Sequence, residues 1–102
     1  FRVPTPTGSV TDLVANLNGK VTVEEINDAY SKVSDGHLSG IVQYTNEPLV
    51  SSDFIRNSNS VIIDGLSTII LEDNMVKVVG WYDNEWGYSC RTADLAEYIS
   101  VR

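Results

Sequence analysis

From Ser9 to Leu17 the chain alternates, with Leu13, Ala15 and Leu17 on one side and Val10, Asp12, Val14 and Asn16 on the other. A period of two predicts a half-buried strand, and Pro4 and Pro6 keep its approach extended. The period then changes. Thr22 followed by Glu25 is a capping-box pair, and Ile26, Ala29, Tyr30 and Val33 recur at helical spacing until Asp35-Gly36 supplies a stop. Short β-rich runs follow at Gly40–Thr45, Leu49–Phe54 and Val61–Asp64, separated by Asn, Pro and Ser clusters that suit turns. Leu66–Leu71 and Met75–Tyr82 flank Glu72-Asp73-Asn74 and read as a hairpin, although the connection lacks the glycine that marks the tightest turns. The last stretch, from about Asn84 to Val101, carries Leu95, Tyr98 and Ile99 at helical spacing and reads as a terminal helix.

Strand, helix, several strands, helix is an α+β order. It predicts a mainly antiparallel mixed sheet, covered by helices on one face and ending in a C-terminal helix. No Gly-x-Gly-x-x-Gly or P-loop pattern occurs, so the usual sequence marks of a dinucleotide phosphate site are missing.

Composition narrows the function classes. Hydrophobic residues at 42% and charged residues at 21% are ordinary for a globular chain and argue against disorder. Fourteen acidic against seven basic residues give a formal charge of −7, which repels phosphate backbones and anionic lipid surfaces and disfavours nucleic-acid and membrane partners. No apolar run approaches the length of a membrane span. The single cysteine, Cys90, has no internal disulfide partner and no Asn-x-Ser/Thr acceptor occurs, both of which fit a reducing cytoplasm. One His and one Cys without paired spacing make a structural zinc site a poor expectation. The chain opens on Phe1 and runs straight into Arg2-Val3-Pro4-Thr5-Pro6, and so reads as a sequence met partway through.

Three features could carry chemistry. Cys90 and His37 are formally a thiol and a base, but they lie far apart without an orienting pattern, and His37 follows a helix-stop glycine where a solvated loop histidine is expected. Arg2, beside a proline-stiffened segment, can present a fixed fork to a phosphate or carboxylate, or can be a solvated surface charge. The stretch Gly80-Trp81-Tyr82-Asp83-Asn84-Glu85-Trp86-Gly87-Tyr88 passes from strand to helix through aromatic and polar groups. Asn84 offers a donor and an acceptor suited to a carboxamide, and Tyr88 a ring and a hydroxyl. The alternative is that Asp83 and Asn84 cap the helix while Trp81, Trp86 and Tyr88 fill a core.

Arg2-Val3-Pro4-Thr5-Pro6 leading into Ser9-Val10-Thr11-Asp12-Leu13, then Leu49-Val50-Ser51-Ser52-Asp53-Phe54, then Val76 to Ser89 with Trp-Tyr-Asp-Asn-Glu-x-Gly-Tyr-Ser, resemble the glyceraldehyde-3-phosphate dehydrogenases in order and spacing over essentially the whole chain. The resemblance implies that residues 1–102 are the C-terminal portion of the catalytic domain of a phosphorylating enzyme that oxidises glyceraldehyde 3-phosphate with NAD and inorganic phosphate. It places the NAD-binding domain and the catalytic cysteine and histidine in a portion preceding Phe1. It further implies that Arg2 binds the substrate's C3 phosphate, that Asn84 holds the nicotinamide carboxamide, and that Tyr88 packs beside the nicotinamide ring. No catalytic residue is then expected in this chain, and Cys90 falls at a position where the family commonly has another polar residue. NADP stays open beside NAD, because the ribose-reading residues belong to the other portion. A cytoplasmic homotetramer, with the catalytic-domain sheets at the subunit contacts, is the assembly the resemblance implies. Erythrose-4-phosphate dehydrogenase shares the Trp-x-Asp-Asn-Glu-Trp-Gly neighbourhood and is the nearest rival, with Tyr82 favouring the glyceraldehyde-3-phosphate enzyme. A non-catalytic assembly or binding module is a third reading.

Overall fold

The computed structural model describes residues 1–101. Strand β1 (Ser9–Asn16) is followed by helix α1 (Val23–Asp35), β2 (Val42–Thr45), β3 (Val61–Asp64), β4 (Ile69–Leu71), β5 (Met75–Tyr82) and helix α2 (Trp86–Ser100). Short 3-10 turns occupy Ser51–Phe54 and Gly65–Ser67. The strands form one five-stranded mixed sheet in the order β1-β5-β3-β2, with β4 also on β5. β1, β3 and β4 each run antiparallel to β5, while β2 runs parallel to β3. The α+β reading, with a mainly antiparallel mixed sheet and a C-terminal helix, is the architecture observed.

Register sorts the side chains onto two faces. Ala15 pairs with Val76, Leu13 with Val78 and Ile63 with Gly80, so these residues share one face of the sheet. There Ile63, Val76 and Val78 are buried under Ile26 and Tyr30 of α1, with Leu17, Val42, Tyr44 and Ile70 packed around them. Each of the three buried side chains contributes about 1.5–3 kcal/mol of burial. α1 begins as its sequence signal requires, since the Thr22 hydroxyl oxygen accepts from the Glu25 N–H at 3.1 Å. Its stop at Gly36 has another basis than a left-handed turn. Gly36 sits at φ −106°, and a Cβ there would lie 3.0 Å from the Lys32 carbonyl oxygen.

The opposite face is only partly covered. Ile62 is fully buried there, and Trp81 stacks on Phe54 with ring centroids 5.7 Å apart and planes 15° from parallel. The Trp81 indole N–H donates to Asp64 at 3.2 Å. Farther along, Val10, Val14, Ile69 and Leu71 stand exposed around the 2.9 Å ion pair of Lys77 with Asp12.

Two expected strand segments differ. In the Leu49–Phe54 run, Ser51–Phe54 forms a 3-10 turn because local polar groups close it: the Asp53 carboxylate accepts from the Val50 N–H at 2.8 Å, and the Asp53 N–H donates to the Val50 carbonyl at 2.9 Å. Residues 66–68 likewise precede the strand, because Asp64 accepts from the Leu66 N–H at 3.2 Å and the Ser67 hydroxyl at 3.0 Å, holding a turn until Ile69. The hairpin itself is present, with Leu71 opposite Met75. Glu72 and Asp73 supply its left-handed residues at φ 52° and 68°, a role usually given to glycine or asparagine.

α2 is anchored by its first turns. Gly87 lies so close to the loop before β3 that a Cβ would come within 2.8 Å of the Asn59 carbonyl oxygen. Arg91 donates to the Gly40 carbonyl at 3.1 Å and the Ser60 hydroxyl at 3.3 Å. Beyond that point Leu95, Tyr98 and Ile99 are each more than half exposed. Among the described residues no helix is long and apolar enough to cross a membrane.

Candidate functional site

The N-terminal arm, residues 1–8, meets the junction of β5 and α2. β1 begins its ladder with Ser9 opposite Tyr82, so the end of β5 and the start of β1 are adjacent. The arm turns into β1 at Gly8, whose φ of +100° an L side chain rarely adopts. Arm and junction enclose a cleft of about 710 Å³. Arg2, Thr5, Thr7, Trp81, Tyr82 and Asn84 are among the residues that line it. The sequence therefore marked two residues, Arg2 and Asn84, that are distant in the chain and share one cavity in the fold.

Asp83, one residue earlier, is buried at 3% exposure. Its carboxylate accepts from the Arg56 N–H at 2.7 Å, the Trp86 N–H at 2.9 Å and the Glu85 N–H at 3.0 Å. Backbone donors, led by that of Arg56 and then that of Trp86, hold its pKa below the ordinary 3.8 against the opposing effect of burial. Asp83 is thus the capping group of α2, although the regular helix begins three residues later.

Asn84 does not cap the helix. Its carboxamide oxygen accepts from the Gly8 N–H at 3.0 Å, the Ser9 hydroxyl at 3.3 Å and, more weakly, the Thr7 hydroxyl at 3.5 Å. The capping alternative therefore holds for Asp83 and not for Asn84. Nor do the aromatics all fill a core. Trp81 is stacked on Phe54, but Trp86 is 48% and Tyr88 76% exposed. Tyr88 projects from the first turn of α2 and is not part of the cleft lining.

Arg2 is exposed and makes no ion pair or hydrogen bond within the described residues. The one carboxylate of the cleft lining, Asp12, is neutralised by Lys77. Cys90 is half-buried on α2 while His37 is exposed in the turn after α1, and no hydrogen bond joins them. Among the described residues no group of three His, Cys, Asp or Glu side chains is placed to hold a metal ion.

Sequence reasoning did not anticipate that Thr7, Gly8 and Ser9 meet Asn84. The glycine after the proline-stiffened arm was the available signal, since it marks where the chain needs a backbone conformation that other residues avoid.

Comparison with known proteins agrees with the motifs. The family described as glyceraldehyde 3-phosphate dehydrogenase, C-terminal domain, matches residues 1–84. Across all of its 102 residues the chain is 55% identical to a glyceraldehyde-3-phosphate dehydrogenase of Priestia megaterium (strain DSM 319 / IMG 1521). It is 57% identical to glyceraldehyde-3-phosphate dehydrogenase 1 of Bacillus subtilis (strain 168) and 56% to the Geobacillus stearothermophilus protein, again over its whole length. It spans about 30% of the length of each of these relatives. The chain belongs to the glyceraldehyde-3-phosphate dehydrogenase family, whose C-terminal domain it matches.

Proposed function

We infer that these residues are the C-terminal part of the catalytic domain of a phosphorylating glyceraldehyde-3-phosphate dehydrogenase. The complete enzyme would oxidise glyceraldehyde 3-phosphate to 1,3-bisphosphoglycerate with NAD and inorganic phosphate. The observation that carries this reading is the convergence of Arg2 and Asn84 on one cleft, since one suits an anion and the other a carboxamide. Arg2 would bind the C3 phosphate, and its guanidinium has no competing partner among the described residues. A bidentate fork fixes the anionic end of a small substrate, which orients the aldehyde for hydride transfer.

The residues fit the nicotinamide end of the cofactor and not its pyrophosphate. The Asn84 amide nitrogen donates to no described residue, Tyr88 exposes a ring on the next turn, and the chain holds no glycine-rich phosphate cradle. When bound, the cofactor accepts the hydride, and the protein's part is to position and to exclude water. The cradle, the ribose contacts that divide NAD from NADP, and the reactive cysteine and histidine fall to the family's other portion, outside these 102 residues. This chain alone is accordingly inactive. Erythrose-4-phosphate dehydrogenase is not favoured, since the three relatives at 55–57% identity are glyceraldehyde-3-phosphate dehydrogenases.

Assembly as a homotetramer is supported by the partly bare sheet face carrying Val10, Val14, Ile69 and Leu71, because contiguous exposed apolar surface marks a protein contact. A cytoplasmic setting is supported by the single unpaired cysteine.

The test is Arg2→Ala in the complete enzyme. A charged hydrogen bond is worth ~1.5–3 kcal/mol, so the KM for the phosphorylated aldehyde should rise roughly ten- to hundredfold while that for a non-phosphorylated analogue stays close to its original value. Equal effects on the two substrates would remove the phosphate role.

A further inference from the structure

The arm that carries Arg2 is held from outside itself. Its ladder partner begins only at Ser9, and within residues 1–7 the backbone bond present is Thr5 N–H to the Val3 carbonyl at 2.8 Å. What ties the arm's end to the rest of the protein is chiefly one acceptor, beside a weaker contact of the Thr7 hydroxyl with the Asp83 carboxylate. The Asn84 carboxamide oxygen takes the Gly8 N–H at 3.0 Å, with the Ser9 and Thr7 hydroxyls at 3.3 and 3.5 Å beside it. Gly8 is also the point where the chain turns, at φ +100°, with its back to the Ser51 carbonyl. A turn that needs an unusual backbone angle, pinned by one side chain, sets the direction in which the arm leaves.

Asn84 itself is fixed by the residue before it. Asp83 is buried and binds three backbone N–H groups, from Arg56 and from the first turn of α2, so the junction from which Asn84 projects is rigid. The chain of contacts runs from a buried cap, through Asn84, to Gly8 and the arm. Its far end is Arg2, which lines the same cleft as Asn84.

We propose that Asn84 is a positioning residue for the anion-binding arm: its oxygen sets the placement of Arg2, while its amide nitrogen remains for the cofactor. The proposal rests on the reading of Arg2 as a phosphate ligand and extends it. One side chain then links the two ends of the active cleft, and loss of its oxygen is felt at the substrate's phosphate as well as at the cofactor. A cofactor-only role for Asn84 makes the opposite demand, because it leaves discrimination between phosphorylated and non-phosphorylated aldehyde untouched.

The experiment is a double-mutant cycle in the complete enzyme, reading the ratio of kcat/KM for glyceraldehyde 3-phosphate to that for non-phosphorylated glyceraldehyde at saturating cofactor. Asn84→Ala should lower this ratio roughly fivefold, the worth of about one neutral hydrogen bond acting through the arm. In an Arg2→Ala background the same change should lower it no further, because the group it positions is gone. Ser9→Ala, a gentler cut at the same acceptor, should move the ratio in the same direction by a smaller factor and serves if Asn84→Ala fails to fold. A ratio that Arg2→Ala lowers and neither Asn84→Ala nor Ser9→Ala changes would overturn the positioning role and leave the phosphate role standing. Effects of Asn84→Ala and Arg2→Ala that multiply independently would overturn it equally. If Arg2→Ala itself leaves the ratio unchanged, the phosphate reading fails and this proposal with it.

Discussion

Asp83 offers the most exacting check on the architecture of the site, because its contribution can be worked out from its contacts. Replacing it with alanine removes the acceptor for two N–H groups at the start of α2 and for the Arg56 N–H. Losing a helix N-cap costs ~0.5–2 kcal/mol. The Arg56 donor adds ~1 kcal/mol if water replaces the carboxylate and up to ~3 kcal/mol if it is stranded. Arg56 is on the surface, so the lower figure applies, and the sum is about 1.5–3 kcal/mol. Urea unfolding followed by tryptophan fluorescence suits this measurement, since Trp81 is stacked on Phe54 and loses that contact on unfolding.

The pH dependence gives a second reading of the same group. The pKa of Asp83 is depressed in the folded chain, chiefly by the Arg56 N–H and then the Trp86 N–H. A depressed carboxyl contributes stability that is complete above its unfolded pKa of about 3.9 and is lost as pH falls through the lower folded value. Asp83→Asn, which cannot ionise, should therefore be less stable than the native chain at neutral pH and should converge on it below about pH 4. If the two proteins keep a constant difference down to the acid transition, or if the alanine variant costs under ~0.5 kcal/mol, the carboxylate is not the cap described here.

Two other outcomes follow from the same geometry. Gly87→Ala should detach α2 without unfolding the sheet, since its Cβ would stand 2.8 Å from the Asn59 carbonyl oxygen; hydrogen exchange should accelerate in Trp86–Ser100 and not in β5, and uniform acceleration would refute this. The isolated 102-residue chain, freed of host enzyme, should form no reduced nicotinamide from glyceraldehyde 3-phosphate, NAD and phosphate, and activity that disappears with Cys90→Ser would overturn both the inactivity of the chain and the exclusion of Cys90 as a nucleophile.

Much of the fold was legible because it is written in periodicity. The alternation of Ser9 to Leu17 puts Ala15 and Leu17 on the core face, and the Thr22 cap starts α1 where its sequence says it should. Sequence failed at Leu49–Phe54 and at Leu66–Thr68, both β-rich in composition. In each, an aspartate side chain bonds nearby backbone and closes a turn, and such local competition is invisible to a count of β-branched residues. Periodicity also states which side of α2 is apolar and not what that side meets. Leu95, Tyr98 and Ile99 have the spacing of a packed face and are more than half exposed in this chain.

The site divides along the same line. Residue chemistry marked Arg2, Asn84 and Tyr88 one at a time, because a guanidinium, a carboxamide and a phenol each have a recognisable use. Only the antiparallel pairing of β1 with β5 shows that the first two belong together, since it carries the arm back to the strand end from which Asn84 projects. Tyr88 differs for a geometric reason. It lies four residues past Asn84 on a helix that leaves the sheet, so its side chain stands outside the cleft, with 76% of its surface open. A ligand that touched both Asn84 and Tyr88 would have to lie across the cleft mouth and against the first turn of α2. The capping carboxylate of Asp83 holds that turn and the arm's anchor at one place. Weakening this cap should therefore disturb substrate and cofactor contacts together, whereas cutting the arm at Ser9 should disturb the substrate contact alone.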